Sequence, residues 1–442
     1  MGRARLQDIG IAPPRSPGYG PGVAARRRVH SCPEDGVRFA GRAVLPTVDD
    51  VVARAQPSEP LFCLRPAAIA VAARRFVESF PGDVLYAVKC NPEPRVLRAV
   101  WVGGVRHFDC ASLAEVALVR KLLPQAEIHF MHPVKGRPAI REAFGRYGVS
   151  DFALDSPEEL AKILQETVPL GLVGDPPSLG LFVRIAVPRG GAVYDLSGKF
   201  GVPPEEAAEL LRRARPHAAR LGVSFHVGSQ CLDPQAYDRA LGLAAEAVAR
   251  SGVAVDIVDV GGGFPVSYPD LVPPPLADFI VAIAAGLARF PQPVRLWAEP
   301  GRALVAGGGS LVVQVQHRRG EGLYVNDGIY GSLSDAGALG FRFPARRIRP
   351  GEPEHEPAES ADFELFGPTC DSADHMRGPF RLPQDMREGD WVELGQLGAY
   401  GACLRTGFNG FGRIALVDVA DPPMLATPGY EPGDVVAEGV KT

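Results

Sequence analysis

The feature that most restricts the fold of this 442-residue chain is a strict alternation of short apolar runs with amphipathic segments. From Asp83 onward, strand-like runs occupy 83–90, 104–111, 128–134, 151–155, 179–187, 222–229, 256–263 and 295–300. Helix-like segments separate them at 93–101, 113–123, 137–146, 157–168, 203–220, 233–251 and 274–290. Pro157, with Ser156 before it and Glu158 and Glu159 after, has the chemistry of a helix start: a hydroxyl cap, a first-turn proline and acids at the positive end of the dipole. A helix between two strands returns the chain to the same end of the sheet, so the strands pair in parallel. Eight such units in about 220 residues is the count of an α/β fold of the (β/α)8 barrel type. A doubly wound open sheet is the competing architecture, but no glycine-rich dinucleotide turn follows the first strand.

The flanks read differently. Residues 1–58 form an N-terminal arm, with a Gly-, Pro- and Arg-rich mobile part over 1–40 and a short helix at 47–58. The barrel occupies 59–302; Leu61–Leu64 is a strand and Pro66–Ser79 a helix. After residue 303 helical periodicity fades. Leu304-Val305, Leu311–Gln316, the run from Tyr324, the run from Phe363, Trp391–Leu394 and the run from Ile414 read as strands of an antiparallel β domain over 303–442, which the strand at 61–64 is expected to join. Residues 349–361 are a charged, Pro-rich loop without evident chemistry.

Composition excludes several function classes. A formal net charge of −4 gives no electrostatic case for nucleic acid. The longest apolar run, Pro273–Phe290, is interrupted by Asp278 and Arg289, so no membrane span is expected. Met1-Gly-Arg-Ala-Arg-Leu6 carries charge without an apolar stretch after it, unlike a secretory signal. Seven cysteines without metal-type spacing fit reduced thiols in a cytoplasm, with no metal ion.

In a (β/α)8 barrel the functional site lies at the C-terminal ends of the strands, and polar residues gather there. The chain has six lysines among its 47 basic residues, and one of them, Lys89, ends the apolar run Val84–Val88. An amine there can form a Schiff base if its charge is held off, or simply snorkel to solvent. Asp109 ends the second strand, and Arg184 lies in the fifth. His226 and Ser229 end the sixth; His226 could lie on a ring face or be an ordinary core histidine. Gly261-Gly262-Gly263 ends the seventh and offers bare backbone N–H groups to a phosphate, or forms a plain turn. Glu299 ends an apolar strand and must be paired, with a pyridinium nitrogen or with Arg302 or Arg184. Gly301 and Arg302 follow it.

These motifs in this order carry a resemblance. Tyr86-Ala-Val-Lys-Cys-Asn91, Phe108-Asp-Cys-Ala-Ser112, His226-Val-Gly-Ser229, Asp259-Val-Gly-Gly-Gly-Phe-Pro265, Glu299-Pro-Gly-Arg302, Gly367-Pro-Thr-Cys-Asp371 and Gly398-Ala-Tyr400 resemble the fold-type III pyridoxal phosphate (PLP)-dependent decarboxylases. The eukaryotic-type ornithine decarboxylase branch of that family fits best. The resemblance spans about residues 60–415 and implies an alanine-racemase-like barrel plus β domain, acting as a homodimer. It further implies that Lys89 carries the coenzyme as a Schiff base and that His226 stacks on its ring. Asp109 and Arg184 stand among the coenzyme-binding residues. Ser229, Gly261, Gly262, Gly263, Gly301, Arg302 and Tyr400 would hold the phosphate, and Glu299 the pyridine nitrogen. Cys370 and Asp371 would reach across the dimer, the thiol as proton donor and the carboxylate as partner of the substrate's distal amine.

Relatives acting on diaminopimelate usually have Cys-Glu where this chain has Cys370-Asp371. Racemases of this fold need a second base, typically a tyrosine, where this chain offers Cys370. A regulator without activity would be expected to lack Lys89 or Cys370, and both are present. One position departs from the ornithine branch. The second substrate acid, nine residues after the tyrosine matched by Tyr330, is Leu339 here; Asp335 is expected to stand in for it. Losing one of two carboxylates around an ammonium costs roughly 1–3 kcal/mol of binding. The expectation is therefore a decarboxylase of L-ornithine giving putrescine, or of lysine or another diamino or modified amino acid. A racemase or epimerase is the remaining alternative.

Overall fold

The computed structural model describes residues 45–167, 178–188, 190–194, 196, 198–351 and 359–430, with the backbone of two short strands, Arg38–Phe39 and Arg42–Ala43. Most of the arm expected over 1–40, residues 352–358 of the charged loop and the final residues 431–442 lie outside the described residues.

The eight alternating strands close into one parallel barrel. In chain order they are Asp83–Ala87, His107–Cys110, Glu127–Phe130, Asp151–Leu154, Gly180–Arg184, Arg220–Ser224, Ile257–Asp259 and Arg295–Ala298. Each pairs with its neighbour in sequence, and the eighth returns to the first through Trp297↔Asp83 and Ala298↔Val84. All eight strands stop short of the expected C-terminal bound, because the residues beyond have turned away to form the mouth. Val88–Cys90, expected as strand, is a 3-10 turn that carries Lys89 out of the wall. The helix expected over 203–220 ends at Ala214; Pro216 lacks the N–H that would continue it, and the sixth strand already begins at Arg220.

Successive side chains on a strand face opposite ways, so a closed barrel turns every second residue inward and stacks these in layers. The middle layer is apolar: Leu85, Met131, Ala153, Phe182, Ile257 and Trp297. Phe182 and Trp297 stack at 4.8 Å across the axis. Gly222 has no side chain because a Cβ there would lie 2.2 Å from the Phe182 ring. Each large side chain of this plug contributes roughly 1.5–3 kcal/mol by leaving water.

Towards the N-terminal end of the barrel several inward positions are polar. The imidazoles of His107 and His129 meet at 3.0 Å, and His129 Nδ1 lies 2.8 Å from Asp151 Oδ2. Arg220 Nη2 donates to Asp151 Oδ1 at 2.6 Å. Asp83 accepts from Trp297 Nε1 at 2.9 Å and Arg295 Nη2 at 2.7 Å.

The second sheet has eight strands and is antiparallel except at two pairings. The long strand Gly309–Arg319 is its centre and pairs with Leu61–Leu64, Gly322–Val325 and Trp391–Leu394. Parallel pairs join Gly322–Val325 to Ser360–Phe366 and Leu61–Leu64 to Ala415–Asp418. Leu304-Val305, expected as strand, belongs to the short helix Arg302–Val305. The helix Val48–Ala55 covers one face with Val48 and Val52 against Leu61, Cys63, Val312, Ile348 and Trp391. Arg65 and Glu393, both buried, pair at 2.7 Å and tie the strand Leu61–Leu64 to Trp391–Leu394. The sheet meets the barrel mouth through Asn91, whose Nδ2 donates to Gly398 O at 2.7 Å, and through the Tyr400 N–H, which donates to Cys90 O at 2.9 Å.

The histidine pair makes stability fall with acid. Burial and the adjacent His129 hold the His107 pKa below its ordinary value, so the unfolded chain takes up the proton first. Stability is therefore full above about pH 6.5 and declines as pH falls through it. Asp151 adds loss in the more acid range: burial opposes its charge, but His129 and Arg220 outweigh that and keep its pKa low. Thermal unfolding followed between pH 7.5 and 5.5 should show the midpoint dropping, and His107→Gln should flatten that drop by roughly 2–4 °C. An unchanged pH slope in the variant would remove the pair from the acid response.

Candidate functional site

Above the apolar layer, the inward positions at the C-terminal strand ends carry charge. Lys89 projects from the turn after the first strand, and its Nζ lies 2.9 Å from Asp109 Oδ2 at the end of the second. The side chain is 42% exposed. Burial disfavours its charge, yet Asp109, then Glu299 and Tyr400, outweigh burial and raise its pKa. The amine is thus protonated and held against a carboxylate that is 2% exposed.

Glu299 and Asp259 end neighbouring strands. Burial, followed by the charges of Asp109 and Asp259, raises the Glu299 pKa far above the carboxylate range. Burial also pushes Asp259 up to about 6. Asp259 Oδ1 accepts the Gly261 N–H at 2.8 Å, and its buried Oδ2 has no hydrogen-bond partner. Among the described residues Glu299 makes no ion pair with Arg302 or Arg184, so that alternative for its partner falls away.

His226 follows the sixth strand. Its Nδ1 accepts the Gly228 N–H at 3.0 Å, which leaves the proton on Nε2. Burial, with Arg184 and Lys89 nearby, lowers its pKa well below the ordinary value, so the ring is neutral. The Arg184 guanidinium lies 5.7 Å above the Phe200 ring. Ser229 opens a short strand, Ser229–Cys231, paired with Ala192–Tyr194 beside the mouth.

The glycines of the seventh and eighth strand ends are bare because the backbone is crowded. A Cβ on Gly262 would lie 2.7 Å from Glu299 O and 3.1 Å from His226 Nε2, and one on Gly263 would lie 2.5 Å from Gly228 O. Gly261 and Gly263 also have positive φ, at 67° and 106°. On Gly301 a Cβ would lie 2.8 Å from Cys90 Cβ. Arg302, 6% exposed, donates from Nη1 to Tyr268 Oη at 2.6 Å and from Nη2 to Asp335 Oδ2 at 3.1 Å, while its buried Nε has no partner. Its guanidinium is 5.1 Å from the Tyr400 ring. Asp335 is therefore the counter-ion of Arg302, at odds with the expectation that it stands in for a substrate acid. Leu339 packs against the core.

Tyr330, Cys370 and Asp371 form a second cluster on loops of the sheet domain. The Tyr330 hydroxyl donates to Asp371 Oδ2, and the Cys370 N–H donates to Asn409 Oδ1 at 3.0 Å. Cys370 is exposed, and Leu404, Phe408 and Phe411 are exposed apolar side chains of the adjoining segment. Among the described residues no hydrogen bond or ion pair joins this cluster to the one around Lys89.

Two participants, Tyr268 and Cys403, had no sequence signal of their own. Tyr268 and Asp335 find Arg302 only through the fold. Cys403, with its thiol 3.3 Å from Lys89 O and 3.4 Å from Cys90 O, backs the turn that carries the lysine. Asp259 and Glu299 were each visible in a strand-end motif, but nothing in the sequence reported that the two carboxyl groups are neighbours.

The strand-end cluster suits a phosphorylated pyridine aldehyde. Its amine can condense with the aldehyde once it gives up its proton, its buried carboxyl can meet a ring N–H, and its bare N–H groups and the orphaned Arg302 Nε can meet phosphate oxygens. The pyridoxal binding domain of the pyridoxal-dependent decarboxylases matches residues 67–306. A lysine/ornithine decarboxylase of Selenomonas ruminantium is 32% identical over 365 residues, covering 80% of this chain and 88% of that protein. Among solved structures, the arginine decarboxylase of Paramecium bursaria Chlorella virus bound to agmatine superposes with a TM-score of 0.73 at 28% identity, covering 84% of this chain and 99% of that one. The lysine/ornithine decarboxylase of Vibrio vulnificus complexed with putrescine does so at 0.71 and 31%, covering 85% and 99%. The barrel, its lysine and these likenesses together make the chain a member of the pyridoxal-dependent decarboxylase family.

Proposed function

We propose that the protein removes the α-carboxyl group of L-ornithine, giving putrescine and CO2, in a polyamine-forming pathway of the cytoplasm. The observation that carries this reading is Lys89 held against Asp109, with the charge of Glu299 nearby, at the mouth of the barrel beside a cradle of bare glycines. Bound PLP supplies an electron sink for the pair of electrons left when CO2 departs.

The chain's residues divide the remaining work. Lys89 is the amine that holds the coenzyme, and Asp109 fixes where that nitrogen sits. Glu299 presents its carboxyl to the ring nitrogen; a cation there offsets the burial that otherwise discourages its charge. Neutral His226 offers a flat, uncharged face for the ring. Ser229, Gly261, Gly262, Gly263, Gly301, Arg302 and Tyr400 hold the phosphate, and Arg184 adds positive charge near His226 and Glu299.

Cys370 and Asp371 lie apart from this cluster in one chain, with exposed apolar side chains around them. In a homodimer they come from a second copy, where Cys370 returns a proton to the substrate carbon and Asp371, with Tyr330, binds the distal amine. Six described cysteines are free thiols, the pattern of a reducing compartment. Lysine or another diamino acid is the second reading, favoured by Leu339 and by the pairing of Asp335 with Arg302. A racemase is disfavoured because no tyrosine stands at the Cys370 position.

Purified protein with PLP and a panel of L-amino acids should release CO2 fastest from ornithine. Release from lysine and not from ornithine would change the substrate and leave the chemistry. Lys89→Ala should lack the absorbance near about 420 nm of a lysine-bound coenzyme; its persistence would exclude Lys89.

Cys370→Ala should keep that band and lose roughly 100-fold or more in amine formation. Mixing Lys89→Ala with Cys370→Ala chains should recover about a quarter of full activity, since half the dimers are mixed and each has one intact site. No recovery after exchange of subunits would mean that each site is built from a single chain.

A further inference from the structure

Tyr330, Cys370 and Asp371 stand on loops that meet at one buried carboxylate. Asp374 is 3% exposed. Its Oδ1 accepts the Ile329 N–H at 2.8 Å; its Oδ2 accepts the Thr369 N–H at 3.1 Å and the Thr369 hydroxyl at 2.7 Å. The Asp374 backbone closes the same loop, taking the Gly367 N–H at 2.8 Å and donating to Asp371 O at 3.0 Å. One side chain thus folds the loop 367–374 on itself and fastens it to the segment that carries Tyr330.

The surroundings are shaped to admit that carboxylate. A Cβ on Gly328 would lie 2.0 Å from Asp374 Oδ1, and one on Gly367 would lie 2.2 Å from it. On the other side of Gly328, buried Asp327 takes Arg405 Nη1 at 2.5 Å and the Gly328 N–H at 2.9 Å. Arg405 brings in the third loop, whose Phe408 ring is 4.9 Å from the Tyr330 ring and whose Asn409 receives the Cys370 N–H. Charge-assisted bonds to a buried anion hold geometry better than neutral ones, because leaving any donor unpaired is costly.

We propose that Asp374 is a positioning residue that sets Cys370 and Asp371 against Tyr330 within each chain, before a second copy docks. This rests on the reading above that Cys370 and Asp371 complete a decarboxylase site. The proton that follows CO2 loss has two destinations. On the substrate carbon it gives the amine; on the coenzyme's aldehyde-derived carbon it gives, after water adds, an aldehyde and the aminated coenzyme. A thiol fixed in place selects the first.

Asp374→Asn in the full-length protein tests this. Hydrogen exchange without coenzyme should quicken about ten-fold in 328–330 and 367–374 and stay unchanged in the barrel strands. With PLP, the lysine-bound band should be unchanged while the aldehyde-to-amine ratio rises, a shift that simple loss of folded protein does not produce. Unchanged exchange, or faster exchange with an unchanged product ratio, overturns the proposal. Should the asparagine variant not fold, Thr369→Val removes one donor only and should move both readouts the same way by less; no movement there also overturns it. If the wild type releases no CO2, the decarboxylase reading fails and the exchange measurement alone decides the role of Asp374.

Discussion

Closure of the parallel barrel is the constraint on which the rest depends. Once eight strands pair in a ring, every second side chain must point at the axis, and the chain has to fill that space layer by layer. The middle layer solves this with Phe182 and Trp297 stacked across the axis, a solution that requires Gly222 to carry nothing. The plug seals the floor beneath Lys89, Asp109, Asp259 and Glu299. It keeps water from reaching them through the barrel, so their charges act on one another in a poorly screened space. The same closure produces the acid-sensitive histidine layer at the other end.

The electrostatics of the mouth follow from that floor. Three buried carboxyl groups face one lysine, an excess of negative potential that burial makes expensive. The protein lowers the cost by leaving Asp259 and Glu299 with a strong hold on a proton, while Asp109 stays against the lysine. A cationic ring N–H beside Glu299 is the natural complement to such a site. On the proposed reading phosphate would meet Arg302, which is already balanced by Asp335 and Tyr268 and has one further donor, its Nε, without a partner. Lys89 and Arg302 are therefore held by different partners and do not compete.

The barrel was legible in the sequence because its signal is periodic. Alternation of apolar runs with helical segments located all eight strands, and the strand-end rule then pointed to Lys89, Asp109, His226 and Glu299. Boundaries were less legible. The strands were read too long because Val88, Val260 and their like are apolar whether they lie in a wall or in a turn packed on it. Leu304-Val305 read as strand from its β-prone residues, yet the turn after Gly301 starts a helix. Asp335 was misassigned for a deeper reason. Its partner Arg302 is 33 residues away in sequence, and no local pattern reports a pairing of that kind.

Substrate choice turns on the second cluster rather than the first. On the proposed reading a substrate's distal basic group would meet Asp371, and that carboxylate already takes the Tyr330 hydroxyl and the Ala373 N–H at 2.9 Å. With Leu339 supplying no second charge and Asp335 held by Arg302, a distal ammonium would find one carboxylate instead of two. A single carboxylate sets direction but measures distance poorly, because a flexible methylene chain can bring ammonium groups of different reach to the same oxygen. Length discrimination would then have to come from the rigidity of the loop that carries Asp371. A loop fixed by a buried aspartate rejects a chain one methylene too long, whereas a loose loop yields to it. On the proposed reading the stiffness of 367–374 would govern which amino acid is chosen as well as where the proton lands.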